Sequence, residues 1–484
     1  MKQLLLFILV PFIGMAQIQI GQNINGVGID DNCGNAIAIS SDGTVVAIGS
    51  YLNDGNGTNS GQVRVYKNVS GVWTQIGNDL YGSAAGDYSG TSLSLSADGA
   101  TLAIGSPRNY GFSGQVRIYK NAGGIWTQEG ASIQGTNFGD NSGWSVSLSL
   151  DGNTVAIGSI GKYTDGIATG GVKIYRDISG AWTQDGNEIN GFIDSNSFGR
   201  AVCLSANGNV VAISEPFTTL NGAAYAGRVR VYQNLSGIWT QQGGSIDGTY
   251  ANGSFGYSLS LSSDGSILAI GAPGNAITSN SGLVKVYKIV SGIWTQQGAT
   301  IKGTQSLESV GQSLSLSSNG QELAIGSHFN ISLSVNPGKA QVFKFESGNW
   351  VQKGTDIVGS NNESLGSAVA LSGDGNTLAT GAIYNNSNGS GAGQVRLFDI
   401  ATLLAVDHFG MEDIGLFPNP VRDVLTIILP EDVELRYTNL YNTLGQLVKK
   451  ETTSQISLGD LAKGIYFVEV RTNKRMVTRR IVVQ

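Results

Sequence analysis

The chain has 484 residues, of which 13% are charged and 40% hydrophobic, with 70 Gly and 8 Pro. Its net charge of −6 offers no cationic footprint for nucleic acid. Two His and two Cys leave little material for zinc chemistry or a disulfide framework.

In chain order, the first signal is Lys2, then the apolar run from Leu4 to Ile13, then Gly14, Met15 and Ala16. A charged start, an apolar core and a small residue before a cut read as a secretory signal peptide over residues 1–16. The run is too short to span a bilayer. No other segment is long or apolar enough, so the mature form is expected to have no transmembrane segment.

Residues 17–400 carry a module repeated seven times. The Gly of an Asp-Gly or Asn-Gly pair recurs at Gly43, Gly99, Gly152, Gly208, Gly265, Gly320 and Gly375, with steps by subtraction of 56, 53, 56, 57, 55 and 55. A period that steady means one supersecondary unit stacked on copies of itself. Each unit holds four strand patterns, as in Ser92–Ser96, Thr101–Gly105, Gln115–Tyr119 and Ile125–Gln128. Period-2 alternation and β-branched residues favour strands, and Asp98-Gly99 suits a tight hairpin turn. Four antiparallel strands per unit predict a propeller blade. The fourth-strand Trp occurs six times, at Trp73, Trp126, Trp182, Trp239, Trp294 and Trp350, and is missing after Gln394–Phe398. Gln19–Gly26 matches Gln75–Gly82. An N-terminal velcro strand is therefore expected to complete the seventh blade and remove the open sheet edges. The fold expected is all-β, a seven-bladed β-propeller followed by a small β-sandwich.

Phe255-Gly256, Gly271-Ala272-Pro273 and Val284–Tyr287 resemble the FG-GAP repeat of integrin-α-like propellers, and the short Asp-Gly turn is similar to the type 2 variant of bacterial surface proteins. Integrin repeats hold calcium on several carboxylates of the first turn. Here each turn has one, at Asp42, Asp98, Asp151, Asp264 and Asp374, with Asn207 and Asn319 in the other two units. Calcium needs six to eight oxygen ligands, so no metal and no cofactor are expected at the turns.

The best constellation is an acid three residues before the first-strand Gly, at Asp31, Asp87, Asp140, Glu308 and Glu363; the fourth unit has Asn196 there and the fifth Gly253. These loops share a face with the loops between second and third strands, which predicts a broken ring of carboxylates near the channel. Such a ring suits a cation or a polyhydroxyl ligand and leaves weak calcium binding at the rim open. Repetition itself favours a turn-fixing role for the same acids, each accepting backbone N–H groups. Six copies of one Trp, and the third-strand Tyr66, Tyr119, Tyr175, Tyr232 and Tyr287, suggest packing. Trp144, Arg200 and Tyr257 stand instead where other units carry Asn35, Thr91, Gln312 and Ser367. These three unit-specific residues are the first candidates for ligand contact. His328 and His408 have no second His at metal spacing, and no nucleophile elbow occurs. Cys33 and Cys203, in units one and four, are read as small packed residues too far apart for a disulfide.

Residues 401–413 read as a linker. Residues 414–484 hold ten Lys and Arg against seven Asp and Glu, near +3 by 10 − 7. Their alternations over Val424–Ile427, Arg436–Tyr441, Ile465–Val470 and Met476–Val483 predict a small β-sandwich. Leu416–Pro420, Tyr441–Gly445, Gly464–Tyr466 and Arg480–Gln484 resemble the type A C-terminal sorting domain of type IX secretion. The resemblance implies a partner in the type IX machinery and a secreted or outer-surface location in a Gram-negative, Bacteroidota-type cell. The function expected is non-catalytic recognition or adhesion, with an extracellular glycan or protein as partner. An accessory enzyme on extracellular polysaccharide and a structural matrix protein are the alternatives.

Overall fold

The computed structural model describes residues 18–484 apart from 165, 193–196, 275–280, 329–336, 361, 402–414, 430–433, 444 and 474–475. The expected leader at 1–16, nearly all of the linker at 401–413, Asn196 and His408 lie outside the described residues. The chain forms two compact units, Met1–Val406 and Asp407–Gln484.

The first unit is a β-propeller whose described residues form seven antiparallel five-stranded sheets, numbered here as blades in chain order. Blade two shows the plan. Ser92–Leu95, Thr101–Ser106, Gln115–Ala122 and Ile125–Gln128 pair in sequence order, and a fifth short strand, Ile133–Gln134, folds back onto the third. The four strands expected per unit are thus five, because the outer strand is broken in two. The break has a cause in the next blade. In blade one it falls at Gly77, where a Cβ would lie 2.8 Å from Cδ1 of Trp126. The indole N–H of Trp126 donates to the Ile76 carbonyl at 3.1 Å. The Trp repeat therefore ties each blade to the one before it, as Trp239, Trp294 and Trp350 also do. Trp182 is the exception, with a buried indole N–H that finds no acceptor among the described residues.

Second strands such as Thr101–Ser106 and Ile267–Ala272 are buried along their whole length. Alternate faces feed the two inter-blade cores; Val45, Val63, Leu102, Ile104 and Trp126 form one of these. Burying both faces explains why the second strands read as unbroken apolar runs.

Closure is a mixed blade. Ile18 and Gln19 pair with Asp399 and Phe398, and Ile24 and Asn25 pair with Val395 and Gln394. Trp73 then donates to the Ile20 carbonyl at 2.9 Å, so the N-terminal strand serves as the outer strand of blade seven.

At one end of the ring each Asp-Gly turn is held by a Ser two residues earlier. Ser96 Oγ donates to Asp98 Oδ1 at 2.6 Å and accepts the Thr101 N–H at 2.8 Å, and the Ala100 N–H also donates to Asp98 Oδ1. Gly99 takes φ 72° to close the hairpin, which favours glycine. For Asp42, Asp151 and Asp264 burial acts to raise the carboxyl. The Ser hydroxyls and backbone N–H groups outweigh it and hold the group below the usual range. Beside these turns, backbone hydrogen bonds run Ser41→Ala97→Leu150→Ala206→Ser263→Ser318→Gly373 and return from Asp374 to Ser41, each 2.8–3.2 Å. This circle narrows the channel to a cavity of about 130 Å³.

The second unit has a three-stranded sheet of Gly415–Phe417, Val424–Ile428 and Gln455–Ser457. A four-stranded sheet combines Leu435–Tyr441, Leu447–Glu451, Gly464–Thr472 and Met476–Val483. Leu425 and Ile456 from one sheet and Leu440, Val468 and Ile481 from the other share one buried core, as a β-sandwich requires.

Candidate functional site

The opposite end of the ring is built from the turns that precede first strands and the loops that follow second strands. Asp87 in such a turn accepts Asn109 Nδ2 from such a loop at 2.9 Å, so the two sets meet on one rim.

All five acids of the broken ring are buried, between 1% and 8% exposed. Asp31 accepts the N–H groups of Val27 and Gly28, Asp87 those of Ser83 and Ala84, and Asp140 those of Thr136 and Asn137. Glu308 accepts Thr304 and Gln305, and Glu363 accepts Ser360. Asn53, Asn109 and Asn385 cap the acids of blades one, two and seven from the following loop. Lys339 pairs with Glu308 at 2.5 Å and Arg396 with Glu363 at 2.5 Å. The carboxylates turn back onto their own turns, where backbone N–H groups, two for each of Asp31, Asp87, Asp140 and Glu308 and that of Ser360 for Glu363, need an acceptor. Each acid thus uses at least one carboxylate oxygen on its own turn, while Asp140 Oδ1 is buried without a partner among the described residues. Burial acts to raise the Glu363 carboxyl, but the Ser360 N–H and the Arg396 guanidinium hold it below the usual range.

Trp144, Arg200 and Tyr257 are brought together. The Arg200 guanidinium lies 4.5 Å from the Tyr257 ring centre and 5.3 Å from that of Trp144. It thus bridges aromatic rings from blades three and five, within the range of cation–π attraction. All three are half-buried, and Gln312 Nε2 continues the row to the Tyr257 hydroxyl at 3.4 Å. Arg200 has no carboxylate partner among the described residues.

A second aromatic row was not visible in the repeat pattern. Tyr51 meets Tyr88 edge-on at 5.7 Å, Arg108 stands 4.2 Å over Tyr88 and 5.5 Å over Phe112, and Phe112 meets Phe138 at 6.3 Å. Burial, then Tyr384 and Tyr88, raises the Tyr51 hydroxyl pKa. In blade four the acid has moved to the second strand, where buried Glu215 pairs with Arg230. Its cue was Glu215 ending a strand that elsewhere ends in Ser or Ala. His328 follows the strand Glu322–Ser327, with no second His beside it in the sequence. Cys33 and Cys203 are free thiols, and burial pushes that of Cys203 up to about 11. Among the described residues no three His, Cys, Asp or Glu side chains converge on a metal position, and no helix is long and apolar enough to cross a membrane.

Comparison with known proteins places residues 415–484 in the secretion system C-terminal sorting domain family. That domain marks a secreted or cell-surface protein of a Bacteroidota-type bacterium, delivered through the type IX machinery. No curated protein matches the chain. Similar solved structures include a periplasmic gluconolactonase of Pseudomonas aeruginosa, 18% identical over 67% of this chain and 86% of its own, TM-score 0.45. They also include the Dos1 propeller, 13% identical over 79% and 96%, TM-score 0.45. Sqt1 from Chaetomium thermophilum is 16% identical over 97% and 100%, TM-score 0.47. At these identities the likeness concerns the fold alone.

Proposed function

We propose that the propeller is the recognition domain of an exported protein, built from FG-GAP-type, integrin-α-like repeats. It binds an extracellular glycan or protein without catalysis, after removal of a leader at residues 1–16. The observation that carries this reading is the Trp144–Arg200–Tyr257 row. Three side chains that break the repeat converge on one rim, and the cation between the rings lacks a carboxylate among the described residues. Repeat-breaking residues that contact each other across blades serve something other than the blade. The non-catalytic part is supported by the burial of the rim acids, since a general acid–base pair must reach its substrate. The test is a glycan and protein array probed with the exported protein and with a Trp144→Ala/Arg200→Ala variant. A ligand retained by the wild type and lost by the variant at unchanged melting temperature is the expected result. Equal binding by both, or hydrolysis of a bound glycan, overturns the reading.

A further inference from the structure

One turn of the rim carries a side chain that its backbone does not favour. The residue two positions before each first-strand Gly is left-handed in every unit. Asn32, Asn141, Ser197, Ser254, Ser309 and Ser364 have φ between 50° and 70° there, and so has Tyr88, at 55°. Six units meet this conformation with Asn or Ser, short side chains that tolerate it, and blade two meets it with Tyr, for which it is costly. The rule concerns backbone angle, so its breach shows only in the structure. Blade two does the same in its next loop, where Tyr110 (φ 47°) and Phe112 (φ 69°) are left-handed on either side of Gly111. Strain of this kind gathers where a side chain is held for a ligand.

The rings so placed stay out of the core. Tyr110 and Phe138 are each 79% exposed and Phe112 42%, although large rings gain most from burial. Four rings and one cation form a single strip over blades one to three. Tyr51 meets Tyr88 edge-on, the Arg108 guanidinium lies over both Tyr88 and Phe112, and Phe112 meets Phe138 edge-on. Arg108 thus joins two aromatic pairs into one file. The backbone fixes the strip at both blade boundaries: the Tyr88 N–H donates to the Asn59 carbonyl at 3.1 Å, and the Asn141 N–H donates to the Phe112 carbonyl at 2.7 Å. Exposed Asn137, next to Phe138, and half-buried Asn59 border it. Neither side-chain amide has a hydrogen-bond partner among the described residues.

This composition selects the occupant. A single-stranded nucleic acid needs a cationic groove, and the strip holds one cation on a chain of net charge −6. A stable protein interface needs a contiguous face of about 800 Å² on each side, and the strip is a single file of rings. A sugar chain presents apolar C–H faces fringed by hydroxyls, which suits rings bordered by amides.

We propose that this strip binds an extended polysaccharide chain. Successive pyranose rings lie against Tyr88, Phe112 and Phe138, and their hydroxyls reach the Asn59 and Asn137 amides and the edge of the Arg108 guanidinium. The site shares no residue with the Trp144–Arg200–Tyr257 row and does not rest on it.

Titration calorimetry of the exported protein tests this with the β-1,4-linked hexamers of glucose, xylose, mannose and N-acetylglucosamine, with their dimers, and with an oligothymidylate. At least one hexamer is expected to bind, at least about tenfold more tightly than its dimer, because several rings stack at once. Phe112→Ala/Phe138→Ala removes two exposed rings and is expected to weaken that binding at least about tenfold at unchanged melting temperature. Tyr88→Asn restores the side chain of Asn32 and Asn141, and is expected to weaken binding similarly without lowering the melting temperature. Binding of no hexamer, equal binding of hexamer and dimer, or binding of the oligothymidylate alone overturns the proposal. So does a hexamer lost by Trp144→Ala/Arg200→Ala and kept by Phe112→Ala/Phe138→Ala, a result that leaves the other row standing.

Discussion

The two ends of the propeller are made by the same seven repeats and solve opposite problems. At the Asp-Gly end every unit does the same thing: a Ser caps the turn, and the backbone joins the next unit in an unbroken circle. At the rim the units diverge. One places an acid in the second strand, one drops it, and three carry Trp144, Arg200 and Tyr257 at a position held elsewhere by small or amide side chains, or by Thr91. Uniformity marks the end that holds the ring, and divergence marks the end where the proposed ligand contact lies. Repetition is therefore a criterion for assigning roles: a residue found in every blade belongs to the scaffold until its side chain is shown to face outward.

That contrast can be broken most severely at closure. Deleting residues 18–26 strips blade seven of its outer strand and exposes Trp73, and is expected to cost on the order of several kcal/mol. A deletion variant that stays monomeric at wild-type melting temperature, followed by light scattering and thermal melts, refutes the closure. The next largest effect separates two Trp residues of one repeat position. Trp126→Ala is expected to cost about 3–5 kcal/mol. Trp182→Ala is expected to cost about 1 kcal/mol less, because its indole N–H has no acceptor to lose. Denaturant titration of both variants reads the difference.

The scaffold end also predicts an acid limit. Asp42, Asp151 and Asp264 have carboxyls held below the unfolded value. Their contribution is present above the unfolded pKa and is lost as pH falls through the lower folded pKa, in the region below about pH 4. Melting temperature against pH should fall less steeply there in an Asp42→Asn/Asp151→Asn/Asp264→Asn variant. The smallest effect concerns metal. With one carboxylate per turn already bonded, and the rim acids turned inward, excess chelator is expected to move the melting temperature by about a degree or less. A loss of tens of degrees would place a structural ion in the ring.

Most of the blade was legible because its information is local. Alternation over Ser92–Leu95 and the Asp98-Gly99 pair specify strand and turn without reference to other units. The fifth strand was not, since Leu80–Tyr81 and its counterparts are two residues long and carry no period. They exist because Gly77 yields to a Trp some fifty positions later. The acid positions were legible, but the direction of their side chains depends on turn N–H groups and on partners such as Asn53, Asn109 and Asn385. The Trp144 row could be read because its members are exceptions to a rule. The Arg108–Tyr88 row could not, because variable loops offer no rule to break. In the sorting domain the longer strands were legible, and Gly415–Phe417, Leu447–Glu451 and Gln455–Ser457 were not, being short or, in Leu447–Glu451, ending in three consecutive charged residues that break the alternation.

The mixed seventh blade has a kinetic consequence. Its paired residues Ile18 and Asp399 are 381 positions apart (399 − 18), whereas every other blade is assembled from neighbours within one repeat. Early blades can form as local units, but the bond that makes them a ring spans almost the whole domain. Contacts of such separation form late, after the entropy of the long loop has been overcome. Completion of the ring is thus expected to follow formation of the blades it joins, and it requires both ends of the domain to be free at once. A chain threaded through a membrane channel holds one end back. While such a channel holds either end, Ile18 cannot pair with Asp399 and the ring stays open.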